Sequence, residues 1–480
     1  MLLKKDEVPK NEYDVVVIGG GLGGMSVANI LAKNGRRVLL LEAHNKLGGL
    51  ATWFKRSPSN HIFDVSLHGF PYGMVKSLKR YWSNKISQMV VGLDDIRFIN
   101  PQYSIKTNYT KEDFIKILTT NFDVPLAKVE DFFNHVMSIG TEYDSTKTVG
   151  ELFESFFPGR SDIVRFLMEP ITYANGHLLE DPALSYAIVF ANFMRNGIYT
   201  IQGGTDQFIL KMQEELIKNG VDIKLHSKVK KIAVENKKVQ GVFIDLQKID
   251  SQSIKLIKSK VVISNGNIIS TVKEMVGEEH FSKEFFKATN NVRLNTSSCQ
   301  VYIGIKEGEN IPSIGDLIFY SDAKTFNTKE LLSMNITSRT FSVYYPKTRP
   351  GHNRHVVVAS TNAKYEDWKN LNADQYLEAK NKMIDSTLDC LEKFIPNVRS
   401  KVDHLEAATP LTFERYTSHL NGASFGTKYE GLQISRGLHQ QIHGLFHCGS
   451  VGIIMSGWLG ALNYGAITAN DVEAVLFTNS

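Results

Sequence analysis

The sequence predicts an α/β fold that begins with a Rossmann-type βαβ unit. Residues 13–18 (YDVVVI) form an uninterrupted apolar, β-branched run, which is typical of a parallel strand buried on both faces. Glycines follow at once, and from Met25 onward apolar residues recur at helical spacing. Asn34-Gly35 then predicts the end of the helix, and residues 37–41 predict a second buried strand.

The rest of the chain predicts a second, α+β domain that interrupts the first in sequence. Residues 76–195 are interpreted as mainly helical and residues 281–430 as a mixture of strands and helix, without a further nucleotide motif. We therefore predict a discontinuous nucleotide-binding domain formed by 1–75, 196–280 and 431–480. The two intervening segments, 76–195 and 281–430, form the predicted substrate-binding domain.

Composition narrows the functional classes. The 480 residues are 42% hydrophobic and 10% aromatic, enough apolar material for large cores. The 55 basic and 50 acidic residues leave a net charge of only +5, which does not favour nucleic-acid binding. Cys299, Cys390 and Cys448 lie far apart without a CxxC pair, so neither a disulfide framework nor a metal site is predicted.

Two segments bear on the location of the protein. The first residues contain lysines but no apolar segment of signal-peptide length, so we predict a cytoplasmic protein. Residues 444–470 contain no Lys, Arg, Asp or Glu and could span a bilayer by length. Five glycines and His447 interrupt this stretch, however, and indicate a short buried strand followed by a glycine-lined helix.

The strongest motif lies between the first predicted strand and helix. Gly19, Gly21 and Gly24 form a GxGxxG pattern that encloses Leu22 and Gly23. Without side chains, the backbone can turn sharply and approach a pyrophosphate at the N-terminus of the helix. The pattern alone is weak evidence, because glycines are common in turns, but its position between strand and helix favours a dinucleotide site.

Glu42 ends the second predicted strand, where a carboxylate can accept hydrogen bonds from the ribose hydroxyls of a dinucleotide. Its negative charge would repel a 2′-phosphate, so an NADP site is disfavoured. Ala43, which follows it, is included in the predicted cofactor site. A solvated charge at a strand end is the alternative interpretation of Glu42, and the preceding glycines make it the weaker one.

A second glycine pair, Gly48-Gly49, extends the motif. The run VVVIGGGLGGMSVANILAKNGRRVLLLEAHNKLGGLATWF resembles the extended dinucleotide motif of the FAD-dependent amine oxidase and phytoene desaturase superfamily. In that superfamily the second pair lets the chain pass close to the flavin. The resemblance therefore implies an FAD cofactor, and no residue marks a covalent flavin link.

The resemblance continues through most of the chain. The hairpin region NGVDIKLHSKVKKIAVENKKVQGVFI is similar to the adenine-side hairpin of the family, which implies that the backbone of Val229 contacts the adenine. The segment GLFHCGSVGIIMSGWLGALNYGAITANDV is similar to its C-terminal flavin strand and helix, which implies that Gly449, Ser450 and Met455 lie near the ribityl chain and ring. Many relatives have an acidic residue where this chain has Ser450, so that contact is weaker or made elsewhere.

His68 is the candidate catalytic residue. The segment HIFDVSLHGFPYG resembles a flavin-side segment of the retinol saturase and carotenoid isomerase branch, whose saturase-like members also have a histidine at this position. An imidazole there could orient an alkene or transfer a proton, and its ordinary pKa predicts a change of rate between about pH 6 and 8. Without the resemblance, a structural role is the more common one. Nearby aromatic residues could line a tunnel for a polyene or acyl chain, or simply pack in a core: Trp53, Phe54, Phe63, Phe70 and Tyr72.

The resemblance implies a phytoene desaturase-like oxidoreductase that acts on carbon–carbon double bonds of a long hydrophobic substrate. A carotenoid, retinoid, isoprenoid-like or acyl substrate fits, and desaturase, saturase and isomerase activities remain open. Two alternatives are an amine oxidase and a non-catalytic flavin-binding chaperone or subunit. No second GxGxxG follows another predicted strand, which disfavours a built-in NAD(P)H domain and leaves the electron donor or acceptor open.

Residues 70–85 are rich in basic and aromatic side chains: Lys76, Lys79, Arg80, Lys85, Tyr81 and Trp82. Basic groups beside interfacial aromatics favour the anionic surface of a membrane. The segment therefore predicts a peripheral membrane contact, with an ordinary solvated helix face as the alternative.

Overall fold

The computed structural model describes residues 1–139, 147–248, 251–345, 348–349 and 354–478. The strands of these residues are β1 (Glu12–Ile18), β2 (Val38–Leu41), β3 (Trp53–Arg56), β4 (His61–Asp64), β5 (Phe70–Pro71), β6 (Val90–Gly92), β7 (Ile96–Ile99), β8 (Ser104–Thr107), β9 (Ile198–Ile201), β10 (Asp222–Lys224), β11 (Val229–Glu235), β12 (Lys238–Lys248), β13 (Ser251–Ser264), β14 (Ser297–Ile305), β15 (Leu317–Ser321), β16 (Ser338–Tyr344), β17 (Val356–Ala363), β18 (Val402–Ala408) and β19 (Leu445–His447).

The α-helices of the same residues are α1 (Leu22–Lys33), α2 (Gly73–Tyr81), α3 (Asn84–Ser87), α4 (Lys111–Thr120), α5 (Leu126–Ser138), α6 (Val149–Phe156), α7 (Ser161–Asn175), α8 (Ala183–Met194), α9 (Gly204–Lys218), α10 (Ile268–Ser270), α11 (Lys283–Asn290), α12 (Glu366–Lys369), α13 (Ala373–Glu392), α14 (Val398–Lys401), α15 (Pro410–Thr417), α16 (Glu430–Gln441) and α17 (Gly457–Thr478). A π-helical turn, Thr271–Val276, continues α10.

The first sheet contains the predicted βαβ unit. Its strand order is β10-β2-β1-β13-β12-β11, and β19 also pairs with β13. β1 runs parallel to β2 and β13, while the first half of the long strand β13 pairs antiparallel with β12. Val15, Val16 and Val17 are fully buried, as predicted for a strand covered on both faces. The predicted Rossmann-type α/β fold is confirmed.

The second sheet has the order β18-β14-β17-β16-β15-β7-β8 and is antiparallel except for the pair β15 and β7. Side chains alternate along its strands. Val301 and Ile303 of β14 enter a core beneath α13, whereas Tyr302 of the same strand enters the core of the first sheet. Helices α4 to α8 build a further core against β7 and β15.

The C-terminal segment adopts the predicted strand and glycine-lined helix as β19 and α17. A Cβ atom on Gly465 of α17 would lie 2.3 Å from Gly23 O, so glycine lets this helix pack closely on α1. Among the described residues, no helix is both long enough and apolar enough to cross a membrane. The boundaries of the two predicted domains stay a prediction.

Candidate functional site

The first glycine motif forms a narrow cradle between β1 and α1. Gly19 has a left-handed φ of +95°, and a Cβ atom on Gly24 would lie only 2.0 Å from Gly19 O. Gly21 is the N-cap of α1, and because glycine has no side chain, no side-chain cap occupies the first N–H groups of the helix. The N-terminus of α1, which carries Leu22 and Gly23, therefore meets the requirements of a pyrophosphate site.

The second glycine pair packs directly against the first motif. Gly48 N donates a hydrogen bond of 2.8 Å to Gly20 O. A Cβ atom on Gly49 would lie 3.1 Å from Gly21 Cα, and both residues of the pair have left-handed φ values. A dinucleotide held at the N-terminus of α1 fits this double backbone cradle, which side chains would fill.

Glu42 holds the glycine loop from the end of β2. Its Oε2 accepts a hydrogen bond from Gly20 N at 2.7 Å, and its Oε1 accepts one from His44 N at 2.7 Å. Burial raises the pKa of Glu42, and the backbone N–H groups of His44 and Gly20 oppose this shift only in part. Contact between this carboxylate and a ribose stays a prediction.

The segment before β11 lies beside Glu42. Ser227 N donates to Glu42 O at 2.8 Å, which fixes the approach of the chain to Val229. Val229 itself is buried at the start of β11, whereas Ala43 is exposed. The structure therefore places the segment that leads to Val229 beside Glu42, and contact between Val229 and an adenine stays a prediction.

Asn265, which the sequence did not single out, lies over the glycine loop. Its Nδ2 donates to Gly19 O at 3.3 Å, and a Cβ atom on Gly21 would lie 2.8 Å from the same nitrogen. The only sequence signal is its position directly after the strand that pairs with β1, at the edge where ligands of parallel sheets bind. We assign Asn265 to the support of the cofactor loop.

The C-terminal site residues diverge in position. A Cβ atom on Gly449 would lie 2.3 Å from Gly266 O, so this residue needs to be glycine. Ser450, together with Leu22 and Gly48, lines a cavity between the two sheets, which we call the main cavity. Met455 N donates a hydrogen bond to Val451 O, and Met455 packs against the core of the first sheet. It does not belong to the described lining of the main cavity.

The main cavity has a volume of about 130 Å³ and lies between the two sheets, next to the glycine motifs. An adjoining pocket of about 50 Å³ is lined in part by residues of α7 and α8. The two spaces share four lining residues: His68, Tyr173, Ala174 and Ser360. The walls of the second pocket are largely apolar and include Ile171, Phe193, Leu317 and Phe319. The two spaces are therefore adjacent, and the first of them lies beside the glycine cradle.

His68 lies at the junction of the two spaces, and both of its ring nitrogens have partners. Nδ1 is 2.8 Å from Ser342 Oγ, and Nε2 is 3.3 Å from Gln300 Nε2. Tyr302 OH in turn donates to Gln300 Oε1. Burial lowers the pKa of His68 to about 4, with a small opposing effect of Asp64. The change of rate predicted between pH 6 and 8 is therefore not expected from this residue.

A buried ion-pair triad supports the segment that carries His68. Arg349 binds Asp64 at 2.6 Å and Asp206 at 2.8 Å, and Thr205 N donates to Asp64 Oδ1 at 2.8 Å. Burial alone would lower the pKa of Arg349, but the negative charges of Asp64 and Asp206 outweigh this effect, and the pKa is raised above its ordinary value. Because the N-terminus of α9 also faces these carboxylates, the surplus negative charge is partly compensated.

Of the two interpretations of the predicted aromatic residues, the structure favours packing over the wall of a tunnel. Within the described residues, neither space is lined by Trp53, Phe54, Phe63, Phe70 or Tyr72. Phe54 packs edge-on against Tyr302 at 4.8 Å, and Phe70 stacks on Trp458 at 5.5 Å. These contacts with neighbouring elements place the rings in the core or beside the cavity instead of on its wall.

The basic segment is only partly as predicted. Lys76, Lys79 and Arg80 are exposed on α2, and Lys85 is exposed on α3. Trp82 is only 4% exposed and belongs to the core of the first sheet. It cannot act as an interfacial anchor, because the turn after α2 directs its ring inward.

Fold and site together define a flavin-dependent oxidoreductase. The model of the family described as "Flavin containing amine oxidoreductase" matches residues 22–408, and the chain belongs to this family. The predicted FAD cofactor and the predicted class of enzyme are confirmed.

The chain is similar to proteins that act on polyenes. An all-trans-retinol 13,14-reductase from Danio rerio is 22% identical, over 96% of this chain and 86% of that protein. A chloroplastic prolycopene isomerase from Daucus carota is 24% identical, over 88% of this chain and 72% of that protein. Among solved structures, an oxidoreductase from Methanosarcina mazei has a TM-score of 0.63 at 17% identity, covering 95% of this chain and 99% of the other.

Proposed function

We propose that this enzyme acts on carbon–carbon double bonds of a long hydrophobic substrate, as a desaturase, a saturase or an isomerase. The observation that carries the proposal is the adjacent pair of spaces that share His68, one beside the glycine cradle and one with largely apolar walls. The apolar character of these walls matches that of a carotenoid, retinoid, isoprenoid-like or acyl chain. The reductase and isomerase names of the two relatives support the same chemistry.

In this proposal the two glycine motifs, Glu42 and Asn265 hold the cofactor from one side, and Val229, Gly449, Ser450 and Met455 complete its site. FAD, when bound, supplies hydride exchange with carbon. The apolar walls of the second pocket, such as Phe193 and Phe319, hold the substrate chain and exclude water.

His68 has the role of a neutral polar group. When Nδ1–H donates to Ser342 Oγ, Nε2 is an acceptor and can receive a hydrogen bond from Gln300 or from a substrate. The lowered pKa keeps the imidazole uncharged at neutral pH, so it orients the substrate without placing a charge in the apolar site.

Oxidation of amines is the second candidate, because the family is described as amine oxidoreductases. The test compares the purified holoprotein on polyenes and on polyamines. Consumption of a retinoid or carotenoid without peroxide supports the proposal. Oxygen consumption and peroxide release with polyamines alone would favour the amine oxidase. A flavin that no donor, acceptor or lipid reduces or reoxidises would support a non-catalytic chaperone or subunit.

We also propose that the basic segment brings the enzyme to anionic membranes, where hydrophobic substrates reside. Lys76, Lys79, Arg80 and Lys85 are exposed, and each basic residue near such a surface contributes about 1 kcal/mol of attraction. Flotation with anionic liposomes should be lost above about 0.5 M salt and in a variant with Lys76, Lys79 and Arg80 changed to Glu. Unchanged flotation of that variant would exclude this segment.

A further inference from the structure

The face of the second sheet that borders the main cavity is polar. Ser298 and Gln300 of β14 line the cavity, and their antiparallel neighbours on β17, Asn362 and Ser360, line it as well. Thr340 of β16 pairs with Ser360 and lines the adjoining pocket. Three neighbouring strands therefore present hydroxyl and amide groups at one place.

This polar face is not an ordinary solvent-facing surface. Gln300 is 3% exposed, Thr340 6% and Asn362 9%. The opposite face of the same strands is apolar, with Val301 and Ala359 in the core beneath α13. Burial of polar groups is unfavourable unless they form hydrogen bonds, so the polar groups on the cavity side require partners.

The protein supplies only some of these partners. Asn362 Nδ2 donates to Thr172 O at 2.7 Å, and that bond leaves the amide oxygen available as an acceptor. Gln300 Nε2 has a long contact of 3.3 Å with His68. Within the described residues, Ser360 Oγ forms no hydrogen bond, although it borders both spaces.

The two spaces are lined by polar side chains, but the described lining contains no side chain that is charged at neutral pH. Among the described residues, neither space is lined by Asp, Glu, Lys or Arg. An ammonium or carboxylate group would lose its hydration there without an opposite charge to compensate it. An uncharged oxygen function would instead find both donors and acceptors on the polar face.

We propose that the substrate is an uncharged amphipathic lipid whose hydroxyl or carbonyl group binds Gln300, Ser360 and Asn362, while its apolar chain occupies the second pocket. These three residues are thus specificity determinants that select an oxygenated chain over a pure hydrocarbon. The proposal rests on the function proposed above and adds the chemical class of the substrate.

The experiment measures binding of four ligands with one polyene chain to the FAD-loaded protein at pH 7. The ligands are retinol, the hydrocarbon with a methyl group in place of its CH₂OH, retinoic acid and retinylamine. Retinol should bind at least tenfold more tightly than each of the other three. Equal or tighter binding of the hydrocarbon, the acid or the amine overturns the proposal.

Variants connect this preference to the polar face. In Gln300→Leu/Ser360→Ala the preference for retinol over the hydrocarbon should fall below about threefold, with unchanged flavin absorption and FAD content. Ser360→Ala alone should at least halve the preference, which keeps the test valid if the double variant is unstable. Thr361→Val removes a hydroxyl from the opposite face of β17, next to Cys299, and should leave the preference intact.

The outcomes separate this proposal from the proposed function. Conversion of the hydrocarbon as efficiently as retinol would overturn the amphipathic substrate and leave the double-bond chemistry standing. Failure of all four ligands to bind would overturn the amphipathic substrate, and the analysis of products from prolycopene would then decide the double-bond chemistry. Loss of FAD in the variants with an unchanged ligand preference would assign the polar face to the cofactor and overturn the substrate proposal.

Discussion

Arg349 and Asp64 form an ion pair of 2.6 Å that joins segments 285 positions apart. The two side chains are 5% and 0% exposed, and Asp206 at the start of α9 completes the triad. Asp64 ends β4, only four positions before His68. The ion pair therefore ties the segment of the candidate catalytic residue to α9 and to the chain beyond β16.

Arg349→Met should destabilise the protein severely, because it leaves two carboxylates buried without their cation. Loss of one partner of a buried pair costs about 3 to 5 kcal/mol. Denaturant unfolding measures the effect. The control is the triple variant Arg349→Met/Asp64→Asn/Asp206→Asn, which should recover most of the stability because no buried charge is left unpaired. A change below about 1 kcal/mol in Arg349→Met would mean that the triad contributes little.

Glu42→Gln should weaken FAD binding about tenfold or more. The carboxylate accepts hydrogen bonds from Gly20 N and His44 N, and an amide group offers only one oxygen for these two donors. The expected loss is on the order of 1 to 3 kcal/mol. FAD released by heat and measured by fluorescence gives the occupancy, and Glu235→Gln at the exposed end of β11 is the control. Equal occupancy of both variants would contradict the role of Glu42.

Gly24→Ala should abolish FAD binding, since the added methyl group would lie 2.0 Å from Gly19 O and force the loop open. Gly92→Ala is the matched control, because the nearest atom to its new methyl group is 3.8 Å away. The flavin absorption of the two purified variants provides the comparison. A Gly24→Ala protein with full flavin content would disprove the proposed cradle.

His68→Ala should retain FAD and lose most turnover, and a loss of about a hundredfold to ten-thousandfold would match the range of general acid–base catalysis and add proton transfer to its orienting role. Because the pKa of His68 is lowered to about 4, the wild-type residue is neutral from pH 6 to 8 and becomes charged only as the pH falls toward 4. The wild-type rate should therefore be flat near neutrality and fall in acid. Loss of FAD in His68→Ala would instead indicate a structural role.

The sequence predicted the parts of the site that are local in the chain. The glycine motif, Glu42 and the C-terminal strand and helix each depend on short-range spacing, and the structure has them in place. The strands β6 to β8 were not predicted within the helical segment, because three or four residues are too few to show a period.

Contacts between segments that are distant in the chain could not be predicted from the sequence. Asp206 and Arg349 are 143 positions apart, and no spacing rule links them. The polar face of the second sheet depends on the register of β14 against β17, which pairs Gln300 with Ser360. Trp82 was assigned to a membrane contact from composition alone, although the turn of the chain after α2 decides whether such a ring faces inward.

The mass of the product most directly tests the central claim that this enzyme acts on carbon–carbon double bonds. The purified FAD-loaded protein is incubated with all-trans-retinol and with prolycopene, each with an electron donor, an electron acceptor or neither, and the lipids are analysed by chromatography and mass spectrometry. We expect a product that has gained or lost two hydrogens, or an isomer of unchanged mass. Unchanged polyenes under every condition, together with peroxide release from polyamines, would contradict it.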